Sequence, residues 1–129
     1  MDLKFLLDSN AVIDFLGAKY PGEGMNLVNS AVDDIPNISI ISKIEVLSYK
    51  AKNKIEYELL VSFCKDALIF ELNDEIVNKT IELRIQYKLK TPDAIIAATA
   101  LTYNMILITR NISDFGKVRD LTIINPFEV

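Results

Sequence analysis

Short apolar runs alternate along the chain with longer segments in which apolar residues recur every three or four positions. Short runs of this kind predict strands, and the longer periodic segments predict helices. The predicted strands lie at residues 3 to 7, 37 to 41, 67 to 72, 105 to 109 and 121 to 125. The predicted helices lie at residues 10 to 18, 23 to 33, 42 to 50, 54 to 66, 74 to 88 and 92 to 103, with a helical turn near 112 to 116.

This alternation of strands and amphipathic helices predicts an α/β fold with a mostly parallel sheet that helices cover on both faces. The sequence shows no repeat, no low-complexity tract and no linker, so residues 1 to 129 are expected to form one domain. Ligands of such sheets bind beyond the carboxyl ends of the strands, where the strand order reverses. The residues that directly follow the predicted strands are therefore the candidates for a functional site.

The helix predicted at 92 to 103 begins with an unusual carboxylate. No charged residue occurs from Ala94 through Thr109, and apolar residues occupy every side of this helix, which predicts a helix without a solvated face. Asp93 could simply start it, with Thr91 as the N-cap and Pro92 as the first helical residue. A carboxylate at the head of a buried helix nevertheless needs a hydrogen bond, a cation or a metal ion.

Three further acids follow predicted strands. Asp8 comes directly after the first strand, Glu45 lies one helical turn after the second, and Asp114 lies in the turn after the strand at 105 to 109. Each has a structural alternative: Asp8 as a turn or cap residue, Glu45 as the partner of Ser42 in a capping box, and Asp114 as a solvated turn residue.

A functional role is better supported for the four acids together than for each alone, because the fold directs them toward one edge of the sheet. Converging carboxylates repel one another by roughly 4 kcal/mol per close pair at an effective dielectric of about 20, so they require cations. The chain has no histidine and one cysteine. Hard, oxygen-binding ions such as Mg²⁺ or Mn²⁺ are therefore the natural choice, and two of them roughly 4 Å apart can promote phosphodiester hydrolysis. Ser9, Thr109 and Asn111 would supply hydroxyl and amide contacts at the rim.

Composition narrows the class of protein. The N-terminal apolar run is too short for a signal peptide, and the longest uncharged stretch, Ala94 to Thr109, is too short for a membrane span. We therefore expect a soluble, cytoplasmic protein without membrane association. The single cysteine, Cys64, excludes an internal disulfide, and its apolar surroundings favour a buried, inert thiol.

The net charge of −4 argues at first against a nucleic-acid partner. If four of the 18 acids bound two divalent cations, however, the other 14 would balance the 14 basic residues. Acidity therefore does not exclude RNA.

Four segments in order, LLDSNAVID, SKIEVLSY, TPDAIIAATA and LITRNISDF, resemble the four motifs of PIN-domain proteins, in particular the VapC-type ribonuclease toxins of toxin-antitoxin pairs. The resemblance spans nearly the whole chain. It implies a three-layer α/β/α sandwich, metal-dependent cleavage of RNA, a homodimer and inhibition by a small antitoxin protein. It also implies that the metal-binding acids are Asp8, Glu45, Asp93 and Asp114, with Ser9 and Thr109 or Asn111 in support; the family varies most at the last acid.

Two cationic features could contact RNA. Arg110 lies nearest the proposed site, between Thr109 and Asn111, and is the best candidate for a phosphate contact. The run YKAKNKIEY, at 49 to 57, combines three lysines with two tyrosines, although solvated lysines between two helices are the commoner explanation.

Other functions fit the sequence less well. A haloacid-dehalogenase-like phosphatase needs a second Asp two residues after the first, where this chain has Asn10. A receiver domain needs an acid pair near the first strand and a lysine after the last, and the strand LTIIN offers none. The remaining alternative is a non-catalytic PIN-like binding or scaffold module.

Overall fold

A computed structural model describes residues 4–129. Among these residues, five strands form one sheet, and every pair of neighbouring strands is parallel. The strands are β1 (Phe5–Leu7), β2 (Asn37–Ser39), β3 (Leu68–Phe70), β4 (Ile106–Ile108) and β5 (Ile123–Ile124). The parallel α/β sheet that the sequence predicts is confirmed.

Seven α-helices of the described chain connect and cover these strands. They are α1 (Ser9–Leu16), α2 (Gly22–Val32), α3 (Ile40–Ser48), α4 (Lys54–Asp66), α5 (Asp74–Gln86), α6 (Thr91–Thr102) and α7 (Ile112–Phe115), and a 3₁₀ turn (Pro126–Glu128) follows β5. No helix within residues 4–129 is long and apolar enough to cross a membrane.

Each predicted element is present, but the strands are shorter than predicted. Residue 3, where the first strand was predicted to begin, lies outside the described residues. At the second strand, Ile40 and Ile41 already belong to α3, because the Ser39 hydroxyl oxygen accepts a hydrogen bond from the amide of Ile41 and caps the helix there. Apolar composition alone does not mark where a buried strand gives way to a buried helix.

The strand order β3-β2-β1-β4-β5 places β1 at the centre. The chain builds outward from β1 to β2 and β3, and then returns to add β4 and β5 on the other side of β1. The order therefore reverses at β1, and a crevice is expected at the carboxyl ends of β1 and its neighbours. Asp8 follows β1 and Thr109 follows β4, so both lie at this edge.

Two buried clusters pack on the sheet through alternating strand residues. One contains Leu6 and Leu107 with residues of α5 and α6, and the other contains Leu7 and Ile108 with residues of α1 to α4. Cys64 is buried in the second cluster, as its apolar surroundings predict. The two-sided covering agrees with the three-layer arrangement that the resemblance implies.

Helix α6 is buried around its whole circumference, as its composition predicts. The seven consecutive residues 94–100 are all buried. The prediction that Thr91 caps this helix is wrong, because Lys90 holds the N-cap position and Thr91 and Pro92 are the first two helical residues. Proline is tolerated there because amides in the first turn have no partner within the helix. Asp93 lies in the first turn of α6.

We expect the substitution Gly24→Ala to destabilise the protein. A Cβ at Gly24, on α2, would lie 1.9 Å from the carbonyl oxygen of Pro126, so the backbone of the C-terminal turn would have to move. Overpacking of this kind typically costs about 1–3 kcal/mol. Urea unfolding should show that loss for Gly24→Ala and none for Gly22→Ala, where the added Cβ meets open space. Equal stability of the two variants would contradict the described packing of α2 on the C-terminal turn.

Candidate active site

A cleft of about 240 Å³ opens at the carboxyl edge of the sheet. Its walls include three of the four predicted acids, Asp8, Glu45 and Asp93, which come from the end of β1, from α3 and from α6. Ser9, Asn10, Tyr49 and Asn111 also line it. The structure therefore brings side chains from sequence-distant elements together at the edge where the strand order reverses.

Asp8 is the most buried of these acids, with 4% of its surface exposed. One carboxylate oxygen accepts a hydrogen bond from the amide of Ala11 (2.8 Å), which makes Asp8 the N-cap of α1. The other accepts a hydrogen bond from the Thr109 hydroxyl (2.5 Å). Burial raises the pKa of Asp8 to about 6, although these hydrogen bonds oppose the shift. Asp8 thus both caps α1 and lines the cleft.

Glu45 does not take part in a capping box. Because α3 begins at Ile40, Ser42 lies inside the helix with a buried hydroxyl, and Ser39 is the N-cap. Glu45 instead accepts a hydrogen bond from the Ser9 hydroxyl across 36 residues of sequence. This contact ties Glu45 to the first residue of α1.

Asp93 has few compensating contacts. Its carboxylate makes no hydrogen bond or ion pair within the part of the chain that the structure describes. Partial burial raises its pKa, and the negative charges of Asp114 and Glu45 raise it further, while Lys90 acts in the opposite direction. Asp93 therefore faces two like charges in a partly desolvated position.

Asp114 lies on α7, beside the cleft, and is partly exposed. The side-chain amide of Asn111 donates a hydrogen bond to one carboxylate oxygen (3.1 Å), and Lys117 Nζ lies 3.8 Å from the other. Asn111 in turn donates its backbone amide to the Thr109 hydroxyl (3.0 Å). The segment after β4 thus supports Asp8 and Asp114 together.

No three acidic or cysteine side chains among residues 4–129 stand close enough, as arranged, to hold a metal ion. The site nevertheless fits a hard divalent cation in ligand type and in charge, since its donors are carboxylate, hydroxyl and amide oxygens. The repulsion of Asp93 by Asp114 and Glu45 is of the kind that a bound cation would relieve.

Arg110, the predicted phosphate contact, forms an ion pair that the sequence did not suggest. Its Nε lies 3.0 Å from an oxygen of Asp14, a residue of α1 that is only 2% exposed. The contact lacks the alignment of a hydrogen bond. Asp14 was overlooked, although a lone charge within the apolar run AVIDFL is a recognisable signal of a buried, paired acid.

Asn10 and Tyr49 also line the cleft. Asn10 was not a predicted site residue, and Tyr49 was considered only as part of the run at 49 to 57. Asn10 directly follows Ser9, and Tyr49 ends the helix that carries Glu45. The available signals were the position of Asn10 next to Ser9 and that of Tyr49 one helical turn after Glu45.

Comparisons with known proteins place this geometry in context. A sequence model described as PIN domain matches residues 5–121. A chain of a toxin-antitoxin complex from Klebsiella pneumoniae is 30% identical, with a TM-score of 0.77, and the alignment covers 98% of this chain and 100% of that one. Comparison with curated proteins yields no match.

Two more distant structures share the fold. VapBC2 from Rickettsia felis, bound to a DNA fragment from its promoter, contains a chain that is 21% identical, with a TM-score of 0.78 and coverage of 95% of this chain and 98% of that one. DNA-bound VapBC from Salmonella typhimurium contains a chain that is 18% identical, with a TM-score of 0.80 and coverage of 97% and 99%. At these identities the likeness concerns the fold.

The raised pKa of Asp8 makes a prediction about stability and pH in metal-free protein. The folded state holds the Asp8 proton up to about pH 6, whereas the ordinary pKa is 3.8, so the folded state binds more protons between these values. Stability should therefore fall as the pH rises through this range, by at most about 3 kcal/mol for this residue.

Urea unfolding in EDTA from about pH 4 to 7 measures this loss, and Asp8→Asn, which cannot ionise, is the control. The wild-type free energy of unfolding should decline more steeply with pH than that of the variant. If the free energy of unfolding depends on pH in the same way for the two proteins, the raised pKa of Asp8 is contradicted.

Proposed function

The chain belongs to the PIN-domain family, and from this premise we propose that it is a metal-dependent endoribonuclease, the toxin component of a toxin-antitoxin pair. The observation that carries the proposal is the meeting of Asp8, Glu45 and Asp93 in one cleft, with Asp114 close enough to raise the pKa of Asp93. Membership of the family supports nuclease chemistry, and the 30% identical chain belongs to a toxin-antitoxin complex.

We assign Asp8, Glu45, Asp93 and Asp114 as the ligands of Mg²⁺ or Mn²⁺. The absence of histidine from the sequence and the carboxylates of the cleft favour these ions over zinc. When bound, such an ion lowers the pKa of a coordinated water and stabilises negative charge on phosphate oxygens. The reaction adds water across a phosphodiester of the RNA backbone and breaks one P–O bond.

The chain's own polar residues orient the acids for this task. The Thr109 hydroxyl and the Ala11 amide hold the carboxylate of Asp8, Ser9 holds Glu45, and Asn111 holds Asp114. Each of these hydrogen bonds leaves further lone pairs on the carboxylate oxygens for a cation. Asp93 lacks such a partner within the described chain, so its carboxylate is the one most available to an incoming ion.

We further propose that the protein acts in the cytoplasm, forms a homodimer and is inhibited by a small antitoxin protein. Exposed apolar side chains on α5 support association with protein partners. Val77, Ile81 and Ile85 line an apolar groove of about 500 Å³ between α5 and α6, and Ile85 is 83% exposed. Apolar surface of this kind is typical of interaction sites.

The substitution Asp93→Asn should abolish cleavage of RNA while leaving the fold intact. It removes a metal ligand but also removes a charge that repels Asp114 and Glu45, so the metal-free variant should melt at the wild-type temperature or slightly above it. Cleavage of a labelled RNA with Mg²⁺, with EDTA and with Mg²⁺ restored gives the direct measurement. The wild type should lose activity in EDTA and regain it with Mg²⁺.

Asp74→Asn is the matched control, because Asp74 also lies in the first turn of a helix, α5, but is exposed. This variant should cleave like the wild type. Full cleavage by a folded Asp93→Asn protein would defeat the proposed mechanism. Absence of cleavage by the wild type with Mg²⁺ or Mn²⁺ would favour the non-catalytic PIN-like module.

A further inference from the structure

A buried acid outside the proposed metal quartet organises two cations. The carboxylate of Asp14 lies 3.0 Å from Arg110 Nε through one oxygen and 3.9 Å from Lys19 Nζ through the other. Asp14 is 2% exposed, whereas the side chains of Arg110 and Lys19 are 51% and 50% exposed. One inaccessible anion thus holds two accessible cations, and the group carries a net positive charge.

These cations flank the candidate active site. Arg110 lies between Thr109 and Asn111, which hold Asp8 and Asp114, and its positive charge lowers the pKa of Asp8. Lys19 lines a groove of about 280 Å³ that shares Ile13 and Tyr49 with the cleft. A chain that leaves the cleft along this groove would pass Lys19.

We propose that Arg110 and Lys19, held by Asp14, form a phosphate-binding subsite for the RNA backbone next to the cleaved linkage. The inference rests on the proposed ribonuclease function and adds to it a place where substrate is held. Asp14 is a positioning residue in this arrangement, because it touches the two cations and not the RNA.

The geometry leaves Arg110 able to bind while it remains paired. Asp14 engages Nε, and the Arg110 side chain is 51% exposed while it does so. Guanidinium groups bind phosphate through parallel N–H bonds, so the Nη groups can take this role. Release of Arg110 would leave a buried charge weakly compensated, which is strongly unfavourable, so the pair is expected to persist in the complex.

Holding the two cations in place also reduces the cost of binding. Arginine and lysine side chains lose rotamer freedom when they engage a ligand, and a side chain that is already fixed loses less. Asp14 therefore affects RNA binding in two opposite ways. Its charge repels RNA weakly, while its contacts preorganise Arg110 and Lys19. Preorganisation of the two cations is the larger of these effects on RNA binding.

Fluorescence anisotropy with a labelled single-stranded RNA of mixed sequence tests the subsite. The measurements use the full chain in an Asp93→Asn background, so that the RNA stays intact, at about 50 to 200 mM salt. Arg110→Gln and Lys19→Gln should each weaken binding and make the dependence of log Kd on log salt shallower by about 0.7. Lys79→Gln, which removes a lysine of α5 that pairs with Glu82, is the matched control and should change neither.

The substitution Asp14→Asn distinguishes the effect of preorganisation on RNA binding from the effect of the Asp14 charge. Loss of a negative charge alone would tighten RNA binding, whereas the proposal predicts weaker binding. Arg110→Lys gives a second test on an accessible residue, since it keeps the charge but loses the planar group that can hold Asp14 and phosphate together. It should weaken binding with little change in the salt dependence.

Tighter binding by a folded Asp14→Asn protein, or losses for Arg110→Gln and Lys19→Gln no larger than for Lys79→Gln, would overturn the subsite. Absence of RNA binding by the parent protein would overturn it as well. If the wild type fails to cleave RNA but binding depends on these residues as expected, the nuclease proposal fails and the subsite stands.

Discussion

Burial of the Asp8 carboxylate is the constraint on which the rest of the site depends. A buried carboxylate must be hydrogen-bonded, and the partners of Asp8 come from the first turn of α1 and from Thr109 after β4. These bonds tie the central strand, the helix that follows it and the neighbouring strand together at the edge where the strand order reverses. The same requirement therefore sets the start of α1 and places a carboxylate in the cleft.

The other acids repel one another at this edge of the sheet, which destabilises the metal-free protein. Asp93 heads a helix that is buried on all sides, and its neighbours Asp114 and Glu45 make its ionisation less favourable. A fold selected only for stability would not place these charges together, because like charges in a desolvated cleft are destabilising. Sites with this kind of stored repulsion are typical of functional centres, where a ligand relieves it. In this protein the ligand we propose is a divalent cation.

Much of this arrangement was predictable, and the failures have physical causes. The parallel sheet and the burial of α6 follow from apolar patterns, and the cleft follows from residues at strand ends. The capping box considered at Ser42 does not form, because α3 begins earlier, at Ile40. The end of a buried strand and the start of a buried helix lie in one apolar run there, so the sequence pattern does not mark the boundary. The pairing of Asp14 with Arg110 joins residues 96 positions apart, and local patterns carry no information about such partners.

Calorimetric titration of the metal-free protein with Mn²⁺ tests whether the acids at this edge of the sheet bind a divalent cation. The measurement needs neither the natural RNA nor the antitoxin. We expect saturable binding by the wild type and its loss in Asp93→Asn, with binding retained in Asp74→Asn. Absence of binding by the wild type, or equal binding by Asp93→Asn, would contradict it.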